Sequence, residues 1–275
     1  MIRADLHIHT YYSDGLLSPN EVAATAKRNG LNLISVTDHD TVSAYGEVKK
    51  ACGDTGLKCV KGIEVSAYSN GVKLHTLGYN FKQTEEMEKF LKELYDGSFA
   101  RTREILKKLK AVGVNLTLEE VLAERKKENT PLHGMFIARA GCKKGYSATP
   151  FSFYAKYLNR GCAGFSDIGR PSPERTVEII SLSGGAVSLA HPQRVEMEKE
   201  ELFNLIKSLK DRGLYGIEGV YSSHTKSETE YYKEIARELG LEITGGSDTH
   251  FTGGNREIGS PEFYPSETLL AKLLS

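Results

Sequence analysis

Histidines and carboxylates recur in this sequence at spacings that suit metal coordination. The first pair is His7-Ile8-His9, with Asp14 just beyond. Asp38-His39 follows, then Glu64, His75, His191 in Ala190-His191-Pro192, and Asp248-Thr249-His250. In extended chain, alternate residues point to the same side, so both imidazoles of His7-x-His9 can reach one ion. Asp248-x-His250 offers a second such pair. One pair alone is weak evidence, because two polar residues at a strand end look the same. Six histidines and four acids in such positions are not explained as core or surface residues. Buried charge on that scale is tolerated when it is paired or coordinates metals. Mixed imidazole and carboxylate ligands suit zinc, manganese or iron, whereas a calcium or magnesium site would be all oxygen. More than four ligands requires more than one metal. Closely spaced metals can share a bridging hydroxide and clamp the attacking and leaving oxygens of a displacement at phosphorus. The expected chemistry is hydrolysis of a phosphate ester by two or three divalent ions.

The elements that must position these residues are legible as apolar runs. Residues 2–6, 33–36, 60–65 and 74–79 read as short buried strands, and so do 186–190, 214–220 and 241–244. Ser18-Pro19-Asn20-Glu21 is a helix start, with a capping serine, a proline at the first helical position and a glutamate that closes the capping box; Gly30 ends that helix. Later helices are expected from Pro173, over 201–210 and over 228–239. Strands that alternate with helices imply parallel pairing, hence an α/β barrel or an open α/β sheet. In a parallel barrel the carboxyl ends of the strands converge on one mouth, and the ligands, each within or following a strand, would gather there.

The middle of the chain departs from this pattern. Residues 83–170 hold helical patterns, including a second capping box at Thr117-Leu118-Glu119-Glu120, and no good strand. The stretch is far too long for a plain connection. It reads as a helical insert in a barrel made of residues 1–82 and 171–275. It carries 16 Lys and Arg against 11 Asp and Glu, in a chain whose formal net charge is zero. The insert leaves after the strand bearing His75 and returns before the strand leading to His191. Both its ends are therefore expected near the metals, and it is expected to act as a lid that selects an anionic substrate.

Zero net charge gives no global field toward nucleic acid or membrane, so no stable duplex nucleic acid and no membrane is expected as a partner. No apolar run approaches the roughly 18 residues of a membrane span, and the protein reads as cytoplasmic. Cys52, Cys59, Cys142 and Cys162 form no C-x-x-C pair and read as reduced thiols. The 14 tyrosines show no regular spacing with Lys or Arg of the kind a base-stacking platform needs. Nothing in the sequence fixes an oligomeric state.

The motifs also carry a resemblance. Asp5-Leu6-His7-Ile8-His9-Thr10 through Ser13-Asp14-Gly15, Thr37-Asp38-His39-Asp40, Ala190-His191-Pro192 and Gly246-Ser247-Asp248-Thr249-His250 stand in the order of the four motifs of the PHP (polymerase and histidinol phosphatase) family of metallophosphoesterases. The chain resembles that family over roughly 1–80 and 172–260. The resemblance implies a distorted (βα)7 TIM-like barrel and a trinuclear site. One metal would take His7, His9, Glu64 and Asp248, a second Glu64, His75 and His191, and the third Asp14, His39 and His250. The insert is similar to that of small nucleotide phosphatases, relatives that act on nucleoside 3′,5′-bisphosphates and on the 5′ ends of short RNA. A phosphorylated small molecule, a nucleotide, is the substrate this implies. Arg194, in Ala190-His191-Pro192-Gln193-Arg194, and Ser223 and His224, in Tyr221-Ser222-Ser223-His224, are similar to stretches near the substrate phosphate. Arg194 and His224 are the candidate catalytic residues. One departure stands in the insert, where Gly134 and Phe136 replace the usual Arg and His before Ile137-Ala138-Arg139. His133 is the candidate substitute for the missing cation, Phe136 a candidate to stack on a base, and Arg139 a candidate substrate contact. Arg160 is a further candidate, although most helix-face arginines are structural. Glu218, late in a strand, is a candidate to orient a ligand.

Three alternatives remain at this point. A histidinol-phosphatase-like small-molecule phosphatase would share the whole ligand set. An amidohydrolase or deaminase barrel also begins with His-x-His, but typically ends on a lone Asp, and many carry a carboxylated Lys. A non-catalytic metal-binding module, as in some polymerases, would not need all nine ligands.

Overall fold

The computed structural model describes residues 1–253 and 256–275. The first part of the chain runs β1 (Ala4–Ile8), α1 (Pro19–Arg28), β2 (Leu33–Val36), α2 (Tyr45–Thr55), β3 (Lys58–Ser69) and β4 (Val72–Tyr79). Four helices follow: α3 (Glu85–Ala111), α4 (Leu118–Leu122), α5 (Gly134–Lys143) and α6 (Pro150–Tyr157). Alternation then resumes with α7 (Pro173–Leu182), β5 (Ala186–Leu189), α8 (Lys199–Asp211), β6 (Gly216–Tyr221), α9 (Lys226–Leu239), β7 (Glu242–Gly246) and α10 (Glu267–Leu274).

Local chemistry starts most of the helices. The Ser18 hydroxyl accepts from the Glu21 amide while the Glu21 carboxylate accepts from the Ser18 amide, and Thr117–Glu120 and Thr225–Glu228 repeat the box. Helix α2 was not expected from the sequence. Its N-cap is Ala44, whose side chain makes no capping hydrogen bond, so no start signal was available.

The seven strands are neighbours in sequence order, and the ring closes between β1 and the segment after β7. There the His9 amide donates to the Thr249 carbonyl at 2.9 Å and the Asp248 amide to the His7 carbonyl at 2.7 Å. The fold is a distorted (βα)7 barrel. Strands β1–β2–β3 and β5–β6–β7 pair in parallel, as alternation predicts, but β4 runs antiparallel to both its neighbours. Asn70 and Gly71 form the connection from β3 to β4, both at positive φ (49° and 83°). Two residues can turn a hairpin but cannot carry the crossover that parallel strands need. Apolar side chains of β1, β2, β3 and β4, among them Leu6, Leu33, Val60, Leu77 and Tyr79, fill the barrel's closed end with Phe263 and Leu269. Separate clusters sit between the sheet and its helices.

The inverted β4 corrects the expected route of the insert. Tyr79 pairs with Gly62 and with Ala186, the first residue of β5, so the chain leaves β4 at the closed end rather than at the mouth. Helix α3 then climbs the barrel flank. Its 27 residues span about 40 Å. Met87, Phe90 and Leu94 pack into the barrel's outer core, whereas Ile105, Leu106 and Leu109 belong to a second core with Phe136, Ile137 and Phe153. Midway, Gly97 lies against Gly169 so closely that a Cβ on Gly97 would stand 2.4 Å from the Gly169 carbonyl oxygen. The return is at mouth level, where the Tyr68 amide donates to the Pro171 carbonyl. The four cysteines are free. Among the described residues, no helix is long and apolar enough to cross a membrane.

Candidate metal centre

Strand pleat sets the centre. His7 and His9 share one face of the chain as β1 ends, and their Nε2 atoms stand 3.2 Å apart. His7 therefore lies inside its strand and not beyond it, because β1 runs two residues further than its apolar run suggests. Glu64 reaches in from β3. Its Oε2 lies 3.3 Å from His7 Nε2, 3.0 Å from His9 Nε2 and 3.3 Å from His39 Nδ1. Its Oε1 meets His75 Nδ1 at 2.8 Å and His191 Nε2 at 3.0 Å. Asp248 Oδ1 lies 3.4 Å from His7 Nε2 and 3.2 Å from His9 Nε2. Asp14 faces His250 Nε2 at 3.3 Å and His133 Nδ1 at 3.3 Å.

Three sets of donor atoms converge within 4.8 Å: His7, His9, Glu64 and Asp248; His9, Asp14, His39 and His250; and His39, Glu64 and His75. The first consists of the same four residues as the group the family resemblance implied. The second adds His9 to its expected set. In the third His39 stands where His191 was expected, because His39 Nδ1 turns toward Glu64. Two ligands about 2.0–2.1 Å from a tetrahedral ion stand about 3.3 Å apart, and the first set's contacts of 3.0–3.4 Å fit that spacing. Glu64 Oε2 and His39 Nδ1 are buried and have no hydrogen-bond partner. A buried carboxylate oxygen facing an imidazole nitrogen without a hydrogen bond is costly unless a cation lies between them. The residues fit several divalent ions.

Electrostatics agree with this. Burial pushes His9 down, but hydrogen bonds to Asp248 and Glu64 and the charges of Glu64 and Asp14 lift it to about 10. Burial likewise opposes protonation of His7, and Glu218, Glu64 and Asp248 outweigh it. Burial would raise Glu64 and Asp248, yet the surrounding imidazoles hold both well below the carboxylate range. His75, by contrast, is pushed by burial down to about 3, despite Glu64. Metal binding at His7 and His9 must displace protons.

Behind the ligands stands a layer that fixes them. Glu218 on β6 meets His7 Nδ1 at 2.9 Å and accepts from the His191 amide at 2.6 Å, which leaves His7 Nε2 aimed at the centre. Asp38 accepts from the Thr10 amide and from the hydroxyls of Thr10 and Ser13, so it shapes the loop that carries Asp14. Asp5 accepts from the amides of Ser247 and Gly259 and ties β1 to the segment after β7. Glycine at 246 is a steric requirement, since a Cβ there would lie 2.5 Å from the Cβ of His7. His191 and Asp248 have φ of 26° and 54°, a conformation costly for side-chain-bearing residues and typical of functional sites.

A cavity of about 740 Å³ opens onto these ligands. Lys73, Arg194 and Arg256 border it from the barrel, and His133, Arg139, Phe151 and Tyr154 from the helical segment. Arg194 borders the cavity, with Nη1 3.3 Å from Asp248 Oδ2. Arg139 donates to the Asp14 carbonyl at 2.6 Å, and the His133 ring stacks on His39 with centroids 4.6 Å apart. Other expectations fail. Phe136 cannot stack on a base. It is 1% exposed inside the segment's own core, because α5 turns Met135 and Arg139 to the cleft and Phe136 and Ala140 away from it. Ser223 and His224 are not among the residues that border this cavity. His224 is held by Gln193 Oε1 at 2.7 Å and by the Gly219 carbonyl at 3.3 Å.

Among the cleft residues that sequence reasoning missed are Lys73, Tyr154 and Arg256. Lys73 was findable, since it is two residues before His75 on the same strand face. Tyr154 and Arg256 carry no local signal. Arg256 Nη1 reaches Asp248 Oδ2 at 2.5 Å only through the folding of the segment after β7.

Comparison with known proteins brings the same residues into a family. The family model described as PHP domain matches residues 5–252. A 5′-3′ exoribonuclease from Haemophilus influenzae is 30% identical over 256 residues, 93% of this chain and 92% of that protein. A 3′,5′-nucleoside bisphosphate phosphatase from Chromobacterium violaceum is 29% identical over 268 residues, 96% of this chain and 93% of that protein. A solved structure of an amidohydrolase from Chromobacterium violaceum, with bound sulfate and no metal, matches with a TM-score of 0.87 and 26% identity, over 98% of this chain and 96% of that one. With a family match across most of its length and clustered ligands at the mouth of a seven-stranded barrel, the chain belongs to the PHP family and is a metal-dependent phosphoesterase.

Proposed function

We propose that the protein is a phosphomonoesterase of nucleotides or short oligonucleotides. It works with two or three divalent ions of manganese, iron or zinc, held by His7, His9, Asp14, His39, Glu64, His75, His191, Asp248 and His250. The observation that carries this reading is the cleft itself, in which a buried ligand cluster faces Lys73, Arg194, Arg256 and Arg139 across about 740 Å³. That volume suits a nucleotide-sized ligand.

When bound, the metals supply an activated water and neutralise charge on the phosphate. The chain's own residues hold the ester in place. Arg194 and Arg256 converge on Asp248 Oδ2 at the cavity edge, where their guanidinium forks can grip phosphate oxygens. The Tyr221 hydroxyl donates to the same Asp248 oxygen at 2.7 Å, and keeps that carboxylate in position when the arginines turn to substrate. The helical segment roofs the mouth and excludes water from the bound ester. Two full-length relatives, an exoribonuclease and a nucleoside bisphosphate phosphatase, support the nucleotide class.

The test is turnover by Mn²⁺-reconstituted protein of p-nitrophenyl phosphate, adenosine 3′,5′-bisphosphate and a 5′-phosphorylated dinucleotide, with and without chelator. Chelation is expected to abolish all three activities, and kcat/KM is expected to be at least about tenfold higher for a nucleotide than for the nitrophenyl ester. Equal kcat/KM for all three would overturn the nucleotide assignment.

A further inference from the structure

The helical segment grips the barrel at two ligand-bearing loops. Among the described residues, Arg101 on α3 is the one lysine or arginine that is buried. Its Nη2 lies 3.7 Å from Asp40 Oδ2, and its Nη1 donates to the Ile168 carbonyl at 3.1 Å. Gly97, one turn earlier on the same face of α3, meets Gly169, so helix and returning chain are clamped together where Arg101 reaches the barrel. A second cavity of about 710 Å³ adjoins the metal cleft, and Lys73, Arg101, Arg160 and Arg170 border it. Of these four, only Arg101 has a carboxylate within 4.0 Å among the described residues. A buried cation is costly unless it is paired, so Arg101 is committed to Asp40.

Asp40 directly follows the ligand His39 and stands at φ 57°, a costly conformation for a residue with a side chain. Its amide donates to the Glu64 carbonyl at 2.8 Å, and its carboxylate accepts from the Ser66 amide at 3.0 Å and faces Arg101. The first two contacts come from β3, and the third from the helical segment. The other loop is gripped in the same way. Arg139 on α5 donates to the Asp14 carbonyl at 2.6 Å, and Lys126 Nζ donates to the Leu16 carbonyl at 3.3 Å. The Leu16 amide in turn donates to the His250 carbonyl at 2.7 Å. Asp14, His39 and His250 share one donor set with His9. The set of His7, His9, Glu64 and Asp248 is backed differently, by Glu218 and Tyr221 of β6. Among the described residues, the segment makes no hydrogen bond or ion pair with the side chains of that set.

We infer that Arg101 and Arg139 are positioning residues through which the helical segment holds the His39 and Asp14 loops, so that the metal site of His9, Asp14, His39 and His250 is complete only when the segment is seated. The inference rests on the proposed reading of two or three ions. It gives the segment a part in building the metal centre as well as in roofing it.

The experiment titrates Mn²⁺ into metal-free protein against a competing chelator, which reads affinity without turnover. The variants are Arg139→Met, at a half-buried side chain, the double variant Asp40→Asn with Arg101→Met, and Arg101→Lys. The double variant is used because Arg101→Met alone would strand a buried carboxylate and endanger folding. Arg139→Met and the double variant are each expected to weaken one class of bound Mn²⁺ by about tenfold or more, while the tightest ion stays within about threefold of its wild-type affinity. Arg101→Lys, which keeps the charge beside Asp40, is expected to retain most of the wild-type affinity. Unchanged affinities in both Met variants overturn the inference. So does an equal loss in every class, which would reduce the arginines to general stability. Both results leave the reading of several ions standing. A wild type that binds a single ion per chain removes that reading, and the inference with it.

Discussion

The two walls of the cleft are built on opposite principles. On the wall of strand ends the ligand carboxylates and imidazoles face one another. Glu64 alone stands within 3.3 Å of five imidazoles, and Glu218, Asp38 and Asp5 anchor the loops and rings behind them. Beside it, Lys73 on the inverted β4 and Arg160 and Arg170 in the returning segment border the adjoining cavity with no carboxylate partner among the described residues. The first wall is over-determined and fixes geometry. The proposed function assigns chemistry to the strand ends and selectivity to the hairpin strand and helices.

The sharpest way to break that division is Glu64→Gln, which keeps shape and removes charge. Metal content after reconstitution is expected to collapse, and activity on every ester to fall by well over the roughly 100-fold that outer-shell changes reach. Elemental analysis with parallel kinetics checks it, and retained metal with normal turnover would dissolve the claim that the barrel wall is the chemical one. A smaller effect is expected from Glu218→Gln. His7 would lose its anionic partner and the His191 amide a strong acceptor, so metal affinity should drop by roughly 10–100-fold with the fold intact. Metal titration under competing chelator measures this. The smallest effect on catalysis is expected from Phe136→Ala. Removing a fully buried ring should cost about 3–5 kcal/mol of stability in chemical denaturation. The ratio of KM values for p-nitrophenyl phosphate and for adenosine phosphates should not change. A shifted ratio would mean that the segment's interior, and not only its cleft-facing residues, sets selectivity.

The barrel wall was the more legible of the two. His-x-His and Asp-x-His spacing, set against apolar runs, predicted which residues converge, and four motifs in chain order went with them. Convergence of the Glu64-centred ligands follows from strand-end position, which sequence pattern does report. The helical wall was read less well because its outcome depends on packing. Phe136 looked available while numbered as a departure from a motif, but i, i+4 spacing with Ala140 places it on the apolar side of α5. The reversal of β4 was legible and passed over, since Asn70-Gly71 between two apolar runs is a strong hairpin signal. Arg256 and Tyr154 enter the cleft through tertiary folding alone, and no local pattern announces them.

The reversal of β4 has a mechanical consequence. A strand descending from the mouth delivers the chain to the bottom of the barrel, so whatever covers the top must be carried there on a strut. Helix α3 is that strut, bolted to the flank by Met87, Phe90 and Leu94, pinned at mid-height where Gly97 meets Gly169, and continuous into the upper core at Ile105 and Leu109. A beam embedded at both ends has no hinge. On the proposed function this makes the cover above the metals a caliper of set gap rather than a door, a gauge of thickness and charge that does not close upon what enters.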